Sequence, residues 1–232
     1  MRNIAFVLAG GSGRRMGADV PKQFLPLAGR EVIEYSIDVF DAHPAIDAVG
    51  VVVHADWMQH MQAVVQRNRW GKMMPLVTGG AERYMSSLAA IGSLGENDDV
   101  NILLHDAARP LIDAATVSRV VDTLAEHRAV AVAVPSVDTM LQVADGVVAA
   151  VPKRSTLWCA QTPQAFRLPV LRDAYRKALA DPSFAATDDC GVVMRYRPDV
   201  AIHVVEGLPQ NFKITHPDDM RRARVAIDVL HE

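Results

Sequence analysis

The sequence predicts an α/β fold: a Rossmann-like three-layer sandwich with a mostly parallel sheet and a protruding β-hairpin arm. Two observations predict the sandwich. Short β-branched runs alternate with stretches of helical periodicity along most of the chain. The runs are apolar on both faces, as strands are when helices cover each side of a parallel sheet. A third observation predicts the arm: past the middle of the chain the alternation breaks at an Asp-Gly turn between two β-prone runs. With 232 residues, half of them apolar, one domain over 1–232 with an arm insertion at about 136–159 accounts for the whole chain.

The first strand is the apolar run Ile4 to Ala9. One positive charge precedes it, and glycines and arginines follow it where a secretory leader would carry a small-residue cleavage signal, so the run reads as a strand. Helical spacing predicts Val32 to Ala42, then a strand over Ala48 to His54 and a helix over Trp57 to Arg67. A strand at Met74 to Thr78, a helix at Arg83 to Leu94, a strand at Asn101 to Asp106, a helix at Ala114 to Glu126 and a strand at Ala129 to Val134 continue the pattern. The hairpin follows as Val137 to Val143, the turn Ala144-Asp145-Gly146, and Val147 to Val151. An isolated two-stranded hairpin is marginal in water, so this one needs its own domain or a second subunit to pack against. Helices at Leu168 to Ala180 and Asp189 to Tyr196, a strand at Val200 to Val205 and a helix from about His216 to Leu230 complete the chain. Thr215-x-x-Asp218 marks the start of that last helix as a capping pattern.

Charge narrows the function. Twenty-four Lys and Arg against 27 Asp and Glu give a net charge of −3, too little basic excess for a nucleic acid or an anionic membrane. No segment approaches the roughly 18 apolar residues of a membrane span. Cys159 and Cys190 stand 31 positions apart with no C-x-x-C partner, and the eight histidines lack metal-ligand spacing. A disulfide framework and a zinc site are both disfavoured, and a reducing cytoplasm is the expected setting.

Chemistry concentrates after the first strand, in Ala9-Gly10-Gly11-Ser12-Gly13-Arg14-Arg15-Met16-Gly17 and Pro21-Lys22-Gln23-Phe24. No Gly-Lys-Ser/Thr closes a Walker loop, and Met16 occupies the third glycine position of the dinucleotide fingerprint. Glycines after a buried strand let backbone N–H groups approach phosphates, and Arg14, Arg15 and Lys22 add cations. Triphosphate binding is the chemistry these residues favour. The other rich strand end is His105-Asp106-Ala107-Ala108-Arg109-Pro110. Ligands of open parallel sheets bind beyond the carboxyl ends of the strands, which puts Asp106 and Arg109 on the rim of the glycine loop. A carboxylate there can hold Mg²⁺ or a substrate hydroxyl.

These segments occur in order with Gly79-Gly80-Ala81-Glu82-Arg83-Tyr84-Met85-Ser86, Asp138-Thr139, Gln161-Thr162-Pro163-Gln164 and Phe212-Lys213-Ile214-Thr215. From Ile4 to the last helix the chain resembles the 2-C-methyl-D-erythritol 4-phosphate cytidylyltransferase family of the non-mevalonate isoprenoid pathway. The resemblance implies attack of an alcohol phosphate on the α-phosphorus of CTP, with release of pyrophosphate. It implies that Arg15, Lys22 and Lys213 are catalytic cations and that Ala9, Gly10, Gly80 and Ser86 face the cytosine. Gly11, Ser12 and Gly13 complete the expected CTP loop. Asp106, Arg109 and Thr162 would meet the alcohol phosphate from their own subunit. Thr139 and Arg154 would meet it from an arm exchanged across a homodimer. Mg²⁺ would bridge triphosphate oxygens, with Asp106 the candidate protein contact.

Ala9-Gly10-Gly11 is also the form frequent in ribitol 5-phosphate cytidylyltransferases, which stand as the alternative; the double alanine of Ala107-Ala108 favours the methylerythritol enzymes. Molybdenum-cofactor guanylyltransferases share the first loop but lack the Pro-Lys-Gln-Phe segment and the exchanged hairpin. A non-catalytic nucleotide sensor, the reading from a different class, would not need three cations at an α-phosphate.

Overall fold

The computed structural model describes residues 1–11, 20–96 and 98–230. Its centre is a seven-stranded sheet. In chain order the strands of the whole structure are β1 (Asn3–Ala9), β2 (Pro26–Leu27), β3 (Arg30–Glu31), β4 (Ala48–Val53), β5 (Val77–Thr78), β6 (Asn101–Asp106), β7 (Ala129–Pro135), β8 (Gln142–Ala144), β9 (Val147–Ala150), β10 (Trp158–Arg167) and β11 (His203–Glu206). The helices are α1 (Val32–Ala42), α2 (Met58–Asn68), α3 (Arg83–Gly92), α4 (Ala114–Glu126), α5 (Leu168–Leu179), α6 (Asp189–Tyr196) and α7 (Pro217–Leu230).

The sheet runs β11-β7-β10-β6-β1-β4-β5. Every pairing is parallel except those of β10, which runs antiparallel to both β6 and β7. The fold is thus the α/β sandwich with a mostly parallel sheet that the alternation predicts. One face of the sheet buries Ile33, Ile37 and Phe40 of α1, Met61 and Val64 of α2, and Val117, Val120 and Leu124 of α4. The other buries Ala90 and Ile91 of α3, Leu171 and Ala174 of α5, and Val192 and Val193 of α6. Helix α7 packs apart from both, with Ala223 and Ile227 against Leu27, Val32 and Ile214.

The chain order decides where the site lies. From β1 the chain moves outward to β4 and β5, then returns to the opposite side of β1 for β6. Neighbouring connections therefore diverge between β1 and β6, leaving a crevice at their carboxyl ends. Leu8 pairs with Asp106 at that end.

β10 is the strand the hydrophobic pattern does not announce, and it occupies the middle of the sheet. Pro163 interrupts it, joined to Thr162 by a cis peptide. Proline lacks the ladder N–H and is tolerated where a strand bulges; here the register with β7 shifts between Ala160 and Gln164. The expected strand at Val200 begins three residues late, because Val200 N–H closes a turn on the Arg197 carbonyl. Helix α7 is capped differently from the expected Thr215-x-x-Asp218 pattern. Asp219 accepts from the Thr215 and His216 N–H groups at 2.8 and 2.9 Å, while the Thr215 hydroxyl donates to the Lys213 carbonyl.

The arm forms as a short ribbon, with Gln142 opposite Ala150 and a turn at Asp145-Gly146 where both residues take positive φ. Its apolar side chains lie open: Val137, Met140, Leu141, Val143, Val147, Val148, Val151 and Trp158 are all exposed. No helix among the described residues is long and apolar enough to cross a membrane.

Candidate active site

The crevice between β1 and β6 holds a cavity of about 310 Å³, lined on one side by Ala9, Gly10 and Gly11 and on the other by Asp106, Ala107 and Ala108. Lys22, Gln23, Ala81, Arg83, Ser86 and Lys213 close it from three further segments. Gln23 is buried and donates its amide N–H groups to the Ala9 and Gly11 carbonyls at 2.8 and 3.2 Å, which holds the strand end in place. Gly10 passes so close to α3 that a Cβ would stand 2.3 Å from the Ser86 hydroxyl. The glycine thus brings backbone N–H and C=O groups to the cavity wall.

Asp106 is the electrostatic centre. Its Oδ2 accepts from Lys213 Nζ at 2.8 Å and its Oδ1 from Arg83 Nε at 3.1 Å, with Arg109 Nε 3.9 Å away. Burial alone would push its carboxyl up, but Arg83, Lys213 and Arg109 outweigh that and hold it well below the usual carboxylate range. Arg83 reaches onward to Asp189, donating from Nη1 to Oδ2 at 2.6 Å. Burial works against the Arg83 charge, and the two carboxylates more than restore it. Lys22 Nζ donates to the Ile214 carbonyl at 2.6 Å, bringing the first loop to the segment that carries Lys213.

Behind Asp106 lies a chain of buried hydrogen bonds. The Asp106 N–H donates to Thr162 Oγ1 at 3.0 Å, and Thr162 Oγ1 lies 3.1 Å from His105 Nδ1. His105 Nε2 is 2.9 Å from the Arg109 carbonyl, an acceptor only, so the proton sits on Nε2 and the Thr162 hydroxyl donates to Nδ1. Burial lowers the His105 pKa to about 4, keeping the ring neutral at physiological pH. Arg109 donates to the Asn211 and Ala160 carbonyls at 2.9 and 3.2 Å. Burial also lowers its pKa.

Of the residues singled out from the sequence, Ala9, Gly10, Gly11, Lys22, Ser86, Asp106 and Lys213 line one cavity. Ser12, Gly13 and Arg15 lie outside the described residues, as does Arg14. Gly80 stands at the cavity's edge, its carbonyl 3.4 Å from where a Gly10 Cβ would be. Arg109 and Thr162 stand behind Asp106. Thr162 is buried and both hydrogen bonds of its hydroxyl are internal, so here it supports the rim. Thr139 and Arg154 lie on the exposed arm, where Arg154 Nη1 donates to the Val137 carbonyl at 3.2 Å. The metal role expected of Asp106 is at odds with its surroundings: cations engage both oxygens, and a metal ion would have to displace them. Among the described residues no three His, Cys, Asp or Glu side chains gather to hold a metal.

Sequence reasoning assigns no role to Gln23, Arg83 or Asp189. The first two sit inside quoted motifs. Asp189 reads from sequence only as the acidic start of a helix, and nothing local distinguishes it from a dipole partner.

Comparison with known proteins gives a consistent result. The family described as IspD, 2-C-methyl-D-erythritol 4-phosphate cytidylyltransferase, matches residues 3–228. A 2-C-methyl-D-erythritol 4-phosphate cytidylyltransferase of Thermobifida fusca is 47% identical over 97% of this chain and 93% of its own length. A bifunctional ribulose 5-phosphate reductase/CDP-ribitol pyrophosphorylase of Haemophilus influenzae is 34% identical over 94% of this chain and 47% of its own. The crystal structure of the 4-diphosphocytidyl-2C-methyl-D-erythritol synthase from Anaerococcus prevotii matches with a TM-score of 0.87 at 26% identity, covering 98% of this chain and 96% of that one.

Proposed function

The chain belongs to the 2-C-methyl-D-erythritol 4-phosphate cytidylyltransferase family, and from that premise we propose that the cavity between β1 and β6 is where it joins CTP to the polyol phosphate. The reaction forms 4-diphosphocytidyl-2-C-methyl-D-erythritol and pyrophosphate. The observation that carries the assignment is the meeting of Lys22, Arg83 and Lys213 with the glycine-loop end of β1 around one cavity.

An oxygen of the 4-phosphate attacks the α-phosphorus of CTP, and the bond from that phosphorus to the bridging oxygen of the β-phosphate breaks. Negative charge grows around the α-phosphorus and on the departing pyrophosphate, so fixed cations lower the barrier more than a base would. Lys22 is held by the carbonyl of Ile214, the residue next to Lys213, and Lys213 by Asp106. Both lysines would face the α-phosphate, and Arg15 is expected to be a third cation there. Ala9, Gly10, Gly80 and Ser86 read the cytosine through backbone groups and one hydroxyl. Asp106, with Arg109 and Thr162 behind it, shapes the polyol phosphate side. A divalent cation, carried mainly by the triphosphate, would neutralise charge on the departing pyrophosphate.

The exposed apolar arm supports a homodimer in which each arm completes its neighbour's site with Thr139 and Arg154. The free thiols of Cys159 and Cys190 fit a cytoplasmic setting. Ribitol 5-phosphate is the second reading, supported by Ala9-Gly10-Gly11 and by the likeness to the H. influenzae protein; the higher identity to the T. fusca enzyme favours methylerythritol phosphate. Pyrophosphate release from CTP, measured with each polyol phosphate side by side, tests the assignment. Faster release with methylerythritol 4-phosphate is expected. Faster release with ribitol 5-phosphate would reverse the substrate, and none with either would leave a nucleotide sensor.

A further inference from the structure

We propose that Asp189 and Tyr175, neither of which lines the cavity, are positioning residues for nucleotidyl transfer that act through Arg83 on Asp106 and Lys213. The inference rests on the cytidylyl-transfer reading above. Its basis is the Arg83 guanidinium, which spans carboxylates from two separate elements. Nε meets Asp106 Oδ1 at 3.1 Å at the end of β6, and Nη1 meets Asp189 Oδ2 at 2.6 Å on the first turn of α6.

Asp189 has no solvent exposure. A buried carboxylate costs several kcal/mol to desolvate, and an apolar residue of similar volume is often as stable, so burial for packing alone does not account for it. Its setting is rigid. The Tyr175 hydroxyl donates to Oδ1 at 2.6 Å, and the Asp189 N–H donates to Gln164 Oε1 at 3.0 Å. Gln164 donates in turn to Asp188 Oδ2 at 2.7 Å, while Asp188 Oδ1 caps α6 by accepting from the Gly191 N–H at 2.8 Å. The far end of the guanidinium is thereby fixed to α6 and β10, while its Nε is turned to Asp106 on the cavity wall.

This anchoring divides the Asp106 oxygens between two hydrogen-bonding cations, with Arg109 Nε farther off at 3.9 Å from Oδ2. Held from behind, Arg83 takes Oδ1 alone, and Oδ2 is left to orient Lys213 at 2.8 Å. Without the Asp189 charge, Arg83 has one carboxylate to satisfy both arms of its fork and closes on Asp106, competing with Lys213 for Oδ2. Displacing a catalytic group by about 1 Å costs up to ~10²-fold in rate. An ion pair serving only to tie α6 to α3 would change stability and leave turnover per folded molecule untouched.

The test compares Asp189→Asn, Tyr175→Phe, Arg83→Gln and Asp189→Asn/Arg83→Gln in full-length enzyme, each with kcat, KM for CTP and folded fraction. Asp189→Asn should lower kcat roughly tenfold or more per folded molecule while KM for CTP moves less than about threefold. On the Arg83→Gln background it should add little, because its effect passes through Arg83. Tyr175→Phe removes one hydroxyl and should lower kcat by about threefold, which serves if Asp189→Asn does not fold. Wild-type kcat in the folded single variants, or losses that multiply in the double variant, would overturn the inference while wild-type activity upholds the reading beneath it. Wild type that releases no pyrophosphate would overturn both.

Discussion

Replacing Lys213 by alanine separates the catalytic from the structural value of one ion pair. The Lys213 side chain is 39% exposed and its partner Asp106 only 11%. Solvent screens such a half-open pair, so its contribution to folding is about 1 kcal/mol or less. Asp106 also keeps Arg83 at 3.1 Å and Arg109 at 3.9 Å after the change, so no buried charge is left alone. For a chain of this size the cost corresponds to a fall in Tm of roughly 2–4 °C at most. The transition state loses far more. One fixed donor facing developing charge on phosphorus is worth ~10²-fold in kcat, close to 3 kcal/mol. Pyrophosphate-release kinetics and thermal unfolding on the same preparation measure both quantities. Turnover within about threefold of wild type would refute the assignment of Lys213 to the α-phosphate. A collapse in Tm with normal kcat per folded molecule would show that the pair is structural. Lys213→Arg should recover only part of the loss, because a planar fork does not replace a compact ammonium at the same distance.

Gly80→Ala puts a Cβ 2.4 Å from the Met85 Cβ, a backbone-anchored atom of α3; the helix start must shift, so stability should fall by about 1–3 kcal/mol and KM for CTP should rise, and an unchanged KM would remove this turn from nucleotide binding. His105 is neutral in the fold, with a pKa lowered to about 4 from 6.5. The unfolded chain binds the extra proton between those values, so stability should fall by about 3 kcal/mol as pH drops through that window. Urea unfolding at about pH 7 and about pH 4 should show a smaller difference in His105→Gln than in wild type, and equal differences would refute the assignment; the Asp106 contribution is lost only at lower pH, because its carboxyl is held down. If the arm is exchanged, mixing Arg154→Ala with Lys22→Ala subunits should restore part of the activity through hybrid dimers, and no recovery after confirmed subunit mixing would refute the shared site.

Patterns that are local in sequence are also the ones that match the fold. The bounds of α1, β6, α4 and α6 coincide with their sequence readings, because each is an unbroken apolar period ending at a polar or capping residue. β10 escapes for a physical reason: Gln161, Thr162, Pro163 and Gln164 interrupt any apolar run, yet these residues are buried because they hold the site. Gln161 donates to the Leu208 carbonyl at 2.8 Å, and Gln164 braces Asp188 and Asp189. Lys22 and Lys213 are legible as motif residues, but their common destination is a tertiary fact. So is the link from Arg83 to Asp189, across 106 positions of sequence.

A carboxylate at the heart of an anion site has a physical purpose here. Lys22, Arg83, Arg109 and Lys213 gather near one cavity, and without a counter-charge their mutual repulsion would spread them into solvent before any substrate arrived. Asp106 holds three of them within 4 Å, so their orientation is largely set before the phosphates bind. The cost falls on folding, where a charged group must be buried, and the return comes in the transition state, where cations already in place need no reorganisation. Because that cost is carried by Asp106 and Asp189 together, neutralising either one should weaken catalysis even though neither bears the charge that a phosphate requires.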